Sequence, residues 1–126
     1  NLKPFTPDWF GYSMIRNSVH AELYHEILEM AERMDFPIEG LHTETGPGVL
    51  EAAIAYDRAE AAADKGALFK IFMKVLAQRN GLMATFMAKW SGKYPGQSGH
   101  IHVSLRDLAS GKSAFYDPSQ AHNMSA

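Results

Sequence analysis

The spacing of hydrophobic residues along the chain predicts two amphipathic helices separated by extended segments. In the first helix these residues recur at three- and four-residue intervals, which places them on one side: they are Val19, Leu23, Ile27, Met30, Ala31 and Met34. Asn17 or Ser18 is suited to cap its start. Phe36 and Pro37 are expected to end it, because proline disfavours helical geometry in the residue before it.

The second predicted helix begins at Asp57 and stops at Asn80 and Gly81. Residues 57–60 have the spacing of a capping box, with Asp57 in place of the usual Ser or Thr. Asn-Gly is typical of the end of a helix. One face of this helix is hydrophobic and is expected to be buried: it comprises Ala61, Leu68, Phe72, Val75 and Leu76.

The remaining hydrophobic segments have the length and punctuation of strands and loops. The order along the chain is strand, helix, hairpin, helix, strand, loop, strand, which lacks a regular βαβ alternation. This order predicts an α+β fold, an antiparallel sheet with helices packed on one face. The predicted strands are Trp9–Ile15, Ile38–Glu44, Glu51–Tyr56, Leu82–Trp90 and Gly99–Leu105, and the predicted loops are Asn1–Pro7, Ser91–Ser98 and Asp107–Ala126.

Composition narrows the class of protein. The 126 residues are 46% hydrophobic and 21% charged, which is normal for one compact domain. Cysteine is absent, so any metal must be held by oxygen or imidazole. A net charge of -2 without a run of Lys or Arg argues against nucleic acid as a partner. No apolar run approaches the roughly 20 residues of a membrane span, and we expect a soluble, cytoplasmic protein. The lack of an initiator methionine and the loop-like end indicate a segment of a longer protein.

Two glutamates flank a predicted reversal of the chain, in the sequence Glu-Thr-Gly-Pro-Gly-Val-Leu-Glu of residues 44–51. Pro47 followed by Gly48 is the signature of a type II turn. With these two residues at the centre, Glu44 lies opposite Glu51, whereas a three-residue loop would place Glu44 opposite Leu50. Opposed like charges destabilise a sheet, so a divalent cation between them is one interpretation. The other is a hairpin with two ordinary surface glutamates.

A second group of polar residues follows in the last predicted strand, where His100, His102 and Ser104 share one face. Imidazole together with carboxylates suits a divalent ion that is bound to phosphate. The alternative is a face that is simply solvated. His42, two residues before Glu44, either orients that carboxylate beside a metal or is an ordinary strand histidine.

Three segments together resemble the catalytic domain of the glutamine synthetase family: residues 44–51, 80–89 and 98–105. Their order and separations match as well as their residues, and the similarity extends from about Gly11 to Asp117. The resemblance implies that residues 1–126 are a segment of that catalytic domain, without the amino-terminal domain and the carboxy-terminal part of the catalytic domain. Such a segment alone is expected to be inactive.

The resemblance also implies an activity. Members of the family use ATP to phosphorylate the γ-carboxylate of glutamate, and ammonia or another amine then displaces the phosphate to form an amide. They bind Mg²⁺ or Mn²⁺ and assemble into ring-shaped homo-oligomers, here expected to be dodecamers. The residues implied are Glu44 and Glu51 as ligands of the ion nearer the amino-acid substrate, His100 as a ligand of the ion that bridges the ATP phosphates, His102 and Ser104 for ATP, and Gly96 and Tyr12 for substrate. For Tyr12, which resembles a family tyrosine near the ammonium pocket, an aromatic role in the core is the alternative.

Departures from the family pattern occur at Val49, Leu50, Trp90 and residues 95–99. Metal residues that are kept beside altered substrate loops favour an amine other than ammonia, as in a γ-glutamylpolyamine synthetase, with ordinary glutamine synthesis as the alternative. A noncatalytic relative would be expected to lose ligands, yet all three are present. A histidine- and carboxylate-based metal hydrolase would not explain the linked motifs.

Overall fold

The computed structural model describes residues 2–9, 11–97 and 99–125; Asn1, Phe10, Ser98 and Ala126, on which parts of the predicted loops and of the first predicted strand fall, lie outside the described residues. Its elements are helix α1 (Met14–Ser18), helix α2 (Ala21–Arg33), strand β1 (Ile38–Thr43), strand β2 (Leu50–Ile54), helix α3 (Ala59–Arg79) and a single 3₁₀ turn (Ala121–Asn123). Strands β1 and β2 form an antiparallel hairpin. The predicted α+β class is confirmed.

The hydrophobic core lies between the hairpin and the two longer helices. Leu23 and Ile27 of α2 pack with Leu76 of α3, and Ile38, Leu41 and Leu50 of the hairpin pack against this group. The helices therefore cover one face of the hairpin. Because side chains alternate along a strand, polar residues at the intervening positions are placed on the opposite face.

The beginning of the chain differs from the prediction. Residues 11–12 form a turn and α1 follows, so the predicted strand Trp9–Ile15 is wrong. Tyr12 has a φ of 60°, which a strand does not accommodate. The predicted cap at Asn17 or Ser18 is also wrong, because both residues lie within α1. Ser13 caps α1 instead, and its hydroxyl accepts a hydrogen bond from the Arg16 amide at 3.4 Å.

Helix α2 buries a shorter stripe than predicted. Leu23, Ile27 and Ala31 are buried, whereas Val19 precedes the helix and is 78% exposed. The reason is that α1 and α2 are separate helices, so the spacing counted from Val19 does not continue along one helical axis.

Helix α3 begins two residues later than predicted and ends as predicted. The Asp57 carboxylate does not cap it; it accepts hydrogen bonds from the Lys65 ammonium at 2.6 Å and from the Arg58 amide at 2.7 Å. At the other end, Asn80 follows the last helical residue and Gly81 has a φ of 69°. Leu76 is buried as predicted, but Val75 is 50% exposed.

The strands predicted at Leu82–Trp90 and Gly99–Leu105 are wrong for the part of the chain that the structure describes. Beyond α3 the pairing there consists of two isolated bridges, Arg106 with Ser113 and Tyr116 with Met124. A strand needs a neighbour to pair with, and alternation in sequence does not supply one. Within residues 2–9, 11–97 and 99–125, no helix combines the length and apolar character needed to cross a membrane.

Candidate metal centre

The hairpin has the predicted turn but neither predicted register. Val49 donates a backbone hydrogen bond to Gly46 at 3.1 Å, and Gly48 has a φ of 72°, so Pro47 and Gly48 are central. The strand pairing, however, aligns His42 with Glu51. Compared with the predicted two-residue turn, the first arm thus has two extra residues between the paired strands and the turn.

The shift of two residues preserves the face on which each side chain lies. A shift of one would send every side chain to the other side of the sheet, because the period of a strand is two. Glu44 and Glu51 therefore still share the face opposite the helices, and His42 joins them. An even shift in register keeps both carboxylates on one face, so their convergence could be predicted from the sequence. The residue pairing itself could not.

His42, Glu44 and Glu51 each offer a ligand atom, and these atoms lie within 4.8 Å of one another. His42 Nδ1 is 3.8 Å from Glu44 Oε1. An octahedral ion with bonds of about 2.1 Å separates its ligand atoms by about 3.0 to 4.2 Å. Two carboxylates and an imidazole at these separations fit a divalent cation after small side-chain movements.

Tyr12 fixes the orientation of the Glu44 carboxylate. Its hydroxyl donates a hydrogen bond to Glu44 Oε1, while the Thr45 amide donates one to Oε2 at 3.2 Å. The hydrogen bond from Tyr12 is the main reason that the pKa of Glu44 lies below its usual value, and the same bond raises the pKa of the Tyr12 hydroxyl. Glu44 is thereby favoured in the ionised form that binds metals.

The backbone of the Gly11–Tyr12 turn is held directly against the hairpin. The Tyr12 amide donates to the Thr43 carbonyl at 2.8 Å. A Cβ atom at Gly11 would lie 2.9 Å from the carbonyl carbon of Glu44 and 3.0 Å from the Thr45 nitrogen. Such contacts are too short for any side chain, so glycine at position 11 permits the approach that places Tyr12 beside Glu44.

The loop that contains Gly96 reaches the turn of the hairpin. Gln97 donates to the Ala88 carbonyl at 2.7 Å, which folds the loop back on itself. A Cβ atom built at Gly46 would lie 3.9 Å from the carbonyl oxygen of Pro95. The structure thus brings the loop of Gly96 next to the turn between the two glutamates, and the role of Gly96 in substrate binding stays a prediction.

The residues predicted to bind ATP and its metal ion follow α3 in the chain. His100, His102 and Ser104 are on an exposed segment, and the potential metal group found among the described residues does not include His100. Their roles towards ATP and its metal ion stay predictions. The position of His42, two residues before Glu44 on the same face, predicts a residue that orients the carboxylate or an ordinary strand histidine. The structure places its donor atom among those of Glu44 and Glu51.

Comparison with known proteins identifies the family. Residues 7–126 match the family described as glutamine synthetase, catalytic domain. Type-1 glutamine synthetase 2 of Dictyostelium discoideum is 45% identical over 125 residues, which are 99% of this chain and 24% of that protein. Glutamate–isopropylamine ligase of a Pseudomonas species is 36% identical over 118 residues, which are 94% of this chain and 26% of that protein.

Solved structures agree with the sequence matches. The GmaS/ADP complex in conformation 1 superimposes with a TM-score of 0.83 at 26% identity, covering 98% of this chain and 28% of that one. Apo GmaS without ligand gives a TM-score of 0.81 at 27% identity, covering 91% and 27%. The chain thus spans about a quarter of the length of these relatives. On these matches the chain belongs to the glutamine synthetase family and corresponds to part of its catalytic domain.

Proposed function

We propose that the full-length protein is an ATP-dependent ligase that joins ammonia or another amine to the γ-carboxylate of glutamate through a γ-glutamyl phosphate. The observation that carries this proposal is the convergence of Glu44 and Glu51 on one face of the hairpin, in a member of a family whose relatives here include glutamine synthetases and a glutamate–isopropylamine ligase. The GmaS structure with ADP supports a nucleotide as co-substrate.

In this proposal Glu44 and Glu51 hold one Mg²⁺ or Mn²⁺, and His100 contributes to the site of a second ion. Bound divalent ions neutralise and position phosphate oxygens, which is what phosphoryl transfer chiefly requires. Tyr12 holds the Glu44 carboxylate in one orientation. Gly96 lies in a loop beside the hairpin turn and contacts the glutamate substrate through its backbone in this proposal; a Cβ atom there would lie 2.7 Å from the Ala88 carbonyl oxygen. His102 and Ser104 bind ATP in the same proposal.

The identity of the amine is a finer question that the hairpin addresses only partly. Leu50, one of the residues that depart from the family pattern, packs against the core formed by Leu23, Ile27 and Leu76. Its difference therefore concerns packing on the helix side and does not alter the metal face. Val49 lies in the turn, against Gly46, and the relative that uses isopropylamine shows that the family accommodates amines larger than ammonia.

An amine screen tests the proposal. The full-length protein is incubated with glutamate, ATP and Mg²⁺ or Mn²⁺, and phosphate release is measured with ammonia, isopropylamine and a polyamine. Release with ammonia alone identifies glutamine synthesis, and release only with larger amines identifies a γ-glutamylamide synthetase. No release with any amine contradicts the proposal and favours a noncatalytic relative. The 126-residue chain alone is expected to give no release.

Variants of the hairpin connect the activity to the site. Glu44→Gln and Glu51→Gln keep the shape of the side chain but remove its charge, so each is expected to lower turnover at least about 100-fold, the scale of a lost metal-site group. Glu39→Gln, an exposed position of the same strand, is the matched control and is expected to retain full activity. Unchanged turnover in both site variants would defeat the assignment.

A further inference from the structure

His42 occupies a position in the hairpin that the activity proposed above leaves without a role. It lies directly opposite Glu51 in the strand pairing and two residues before Glu44 on the same strand. Its side chain is 33% exposed and that of Glu44 is 24% exposed. The imidazole is thus at the surface of the polar face, where an ion from solution can reach it.

The imidazole ring is held in place by Tyr12. The two ring centres are 4.7 Å apart with an angle of 32° between the planes. The same tyrosine donates its hydroxyl hydrogen to Glu44. One aromatic side chain therefore fixes both the carboxylate and the imidazole, which lowers the entropy lost when both bind one ion. A histidine with only a structural role in the strand would not need to contact the same tyrosine that orients a metal-binding carboxylate.

The distances fit His42 as a direct ligand of an ion and not as a residue that only orients Glu44. A residue that only orients a ligand from outside bonds to that ligand, yet His42 Nδ1 is 3.8 Å from Glu44 Oε1, beyond hydrogen-bond length. Glu44 already receives one hydrogen bond on each oxygen, from Tyr12 and from Thr45. The separation between imidazole and carboxylate is instead that of two ligands of one ion, which are about 3.0 to 4.2 Å apart in an octahedral site.

We propose that His42 is a direct ligand of the divalent ion held by Glu44 and Glu51, so that this hairpin alone supplies three donors from one face. The proposal rests on the proposed function for the presence of that ion. An imidazole nitrogen is a softer donor than a carboxylate oxygen, and Mg²⁺ strongly prefers oxygen. The centre is therefore biased towards transition-metal ions such as Mn²⁺.

Pulsed electron paramagnetic resonance of bound Mn²⁺ tests this directly, because a coordinated imidazole nitrogen gives a hyperfine coupling that a more distant ring does not. The full-length protein carries His100→Asn, which removes the other histidine proposed as a ligand. We expect the nitrogen coupling to persist in this background and to disappear when His42→Asn is added. His25→Asn, at an exposed position of α2, is the matched control and is expected to leave the coupling unchanged.

Binding titrations supply a second measurement that does not depend on turnover. His42→Asn is expected to raise the dissociation constant for Mn²⁺ at least roughly 10-fold, and that for Mg²⁺ by less. Mn²⁺ bound without nitrogen coupling in the His100→Asn background overturns the role of His42 and leaves the proposed function intact. Coupling that survives in the double variant overturns it as well. Failure of the protein to bind Mn²⁺ at all would overturn the proposed metal centre and this inference together.

Discussion

At the scale of single residues, the geometry of the proposed metal centre depends on Gly11 as well as on Glu44 and Glu51. The Gly11–Tyr12 turn touches the backbone of Glu44 and Thr45, and Tyr12 reaches the Glu44 carboxylate only from there. The motif of residues 44–51 does not predict this contact, because 32 residues separate Tyr12 from Glu44. The family resemblance places Tyr12 near the ammonium pocket, and neither it nor the local pattern predicts the contact with Glu44.

We predict that Gly11→Ala destabilises the protein by about 1 to 3 kcal/mol, the usual cost of forcing an atom into a packed contact. The new methyl group would lie 2.9 Å from a backbone carbon, which cannot move as a flexible side chain can. Denaturant unfolding of the full-length protein measures the change. Mn²⁺ affinity should fall in parallel, because displacement of the turn removes the hydrogen bond to Glu44.

Gly66→Ala provides the matched control. Gly66 lies within α3, where a Cβ atom would meet nothing within 4 Å. Alanine is favoured over glycine in a helix by roughly 0.5 to 1 kcal/mol, so this variant is expected to gain stability while metal affinity stays constant. Equal effects of the two substitutions would contradict the claim that close packing at Gly11 matters.

At the scale of elements, the sequence succeeded where a local pattern decides the structure. The spacing of Leu23, Ile27 and Ala31 predicts α2, and Asn80 with Gly81 marks the end of α3, because these signals act within one or two turns. Pro47 and Gly48 likewise fixed the turn. The register could not be predicted from local sequence, since the first arm is contacted at Thr43, Glu44 and Thr45 by the Gly11–Tyr12 turn, which is distant along the chain.

The start of α3 shows a different kind of error, in which a side chain that could cap the helix pairs with a lysine instead. The hydrogen bond from the Lys65 ammonium, followed by that from the Arg58 amide, lowers the pKa of Asp57, and the hydrogen bond donated to Asp57 raises the pKa of Lys65. Both side chains are partly exposed. The bond thus joins Asp57, two residues before the helix, to the second helical turn. It spans the end of the helix, and helix ends are prone to fraying.

We predict that this bond makes the start of α3 sensitive to acid. A carboxyl group whose folded pKa is lowered stabilises the folded form above its unfolded value, here 3.8, and loses that contribution as the pH falls through the folded value. The contribution of Lys65 is complete below 10.5 and is lost as the pH rises through its higher folded value. Amide hydrogen exchange of residues 59–65, corrected for intrinsic rates, should therefore accelerate at the acid end.

Asp57→Asn should abolish that acid dependence and raise exchange at neutral pH towards its value in acid. Asp64→Asn, an exposed acid on the same helix, changes the net charge equally and should preserve the dependence. High salt should reduce the difference between wild type and Asp57→Asn, since exposed charges are screened. A wild-type profile without acceleration would show that the bond has no role in holding the start of the helix.

At the scale of the whole molecule, the chain exposes more surface than its mass requires. A compact protein of 14.0 kDa exposes about 6,700 Å², whereas this chain exposes 9913 Å². Exposed large hydrophobic residues occur both before and after the end of α3. Ile101, Val103 and Leu105 alternate along one segment and are each more than half exposed, although their pattern is that of a strand with one buried face.

This mismatch explains why the last strand could be read from sequence and yet is not formed among the described residues. Alternating apolar residues indicate which face of a segment is buried in the complete protein. Strand pairing, however, requires that the neighbouring strand itself be present. The relatives are about four times as long as this chain, which leaves ample polypeptide to supply one. We therefore expect residues 99–105 to be paired with another segment of the full-length protein.

Hydrogen exchange compares the two situations. In the 126-residue chain, the amides of residues 101–105 should exchange at nearly intrinsic rates, because no strand pairs with them in the part of the structure that is described. In the full-length protein they should slow by several orders of magnitude, as expected for a strand in a stable sheet. Amides 23–31 of α2, which is already packed against the hairpin, serve as the internal control and should change far less. Rapid exchange of residues 101–105 in both forms would mean that His102 is not fixed on a strand, and the ATP-binding roles proposed for that segment would lose their structural basis.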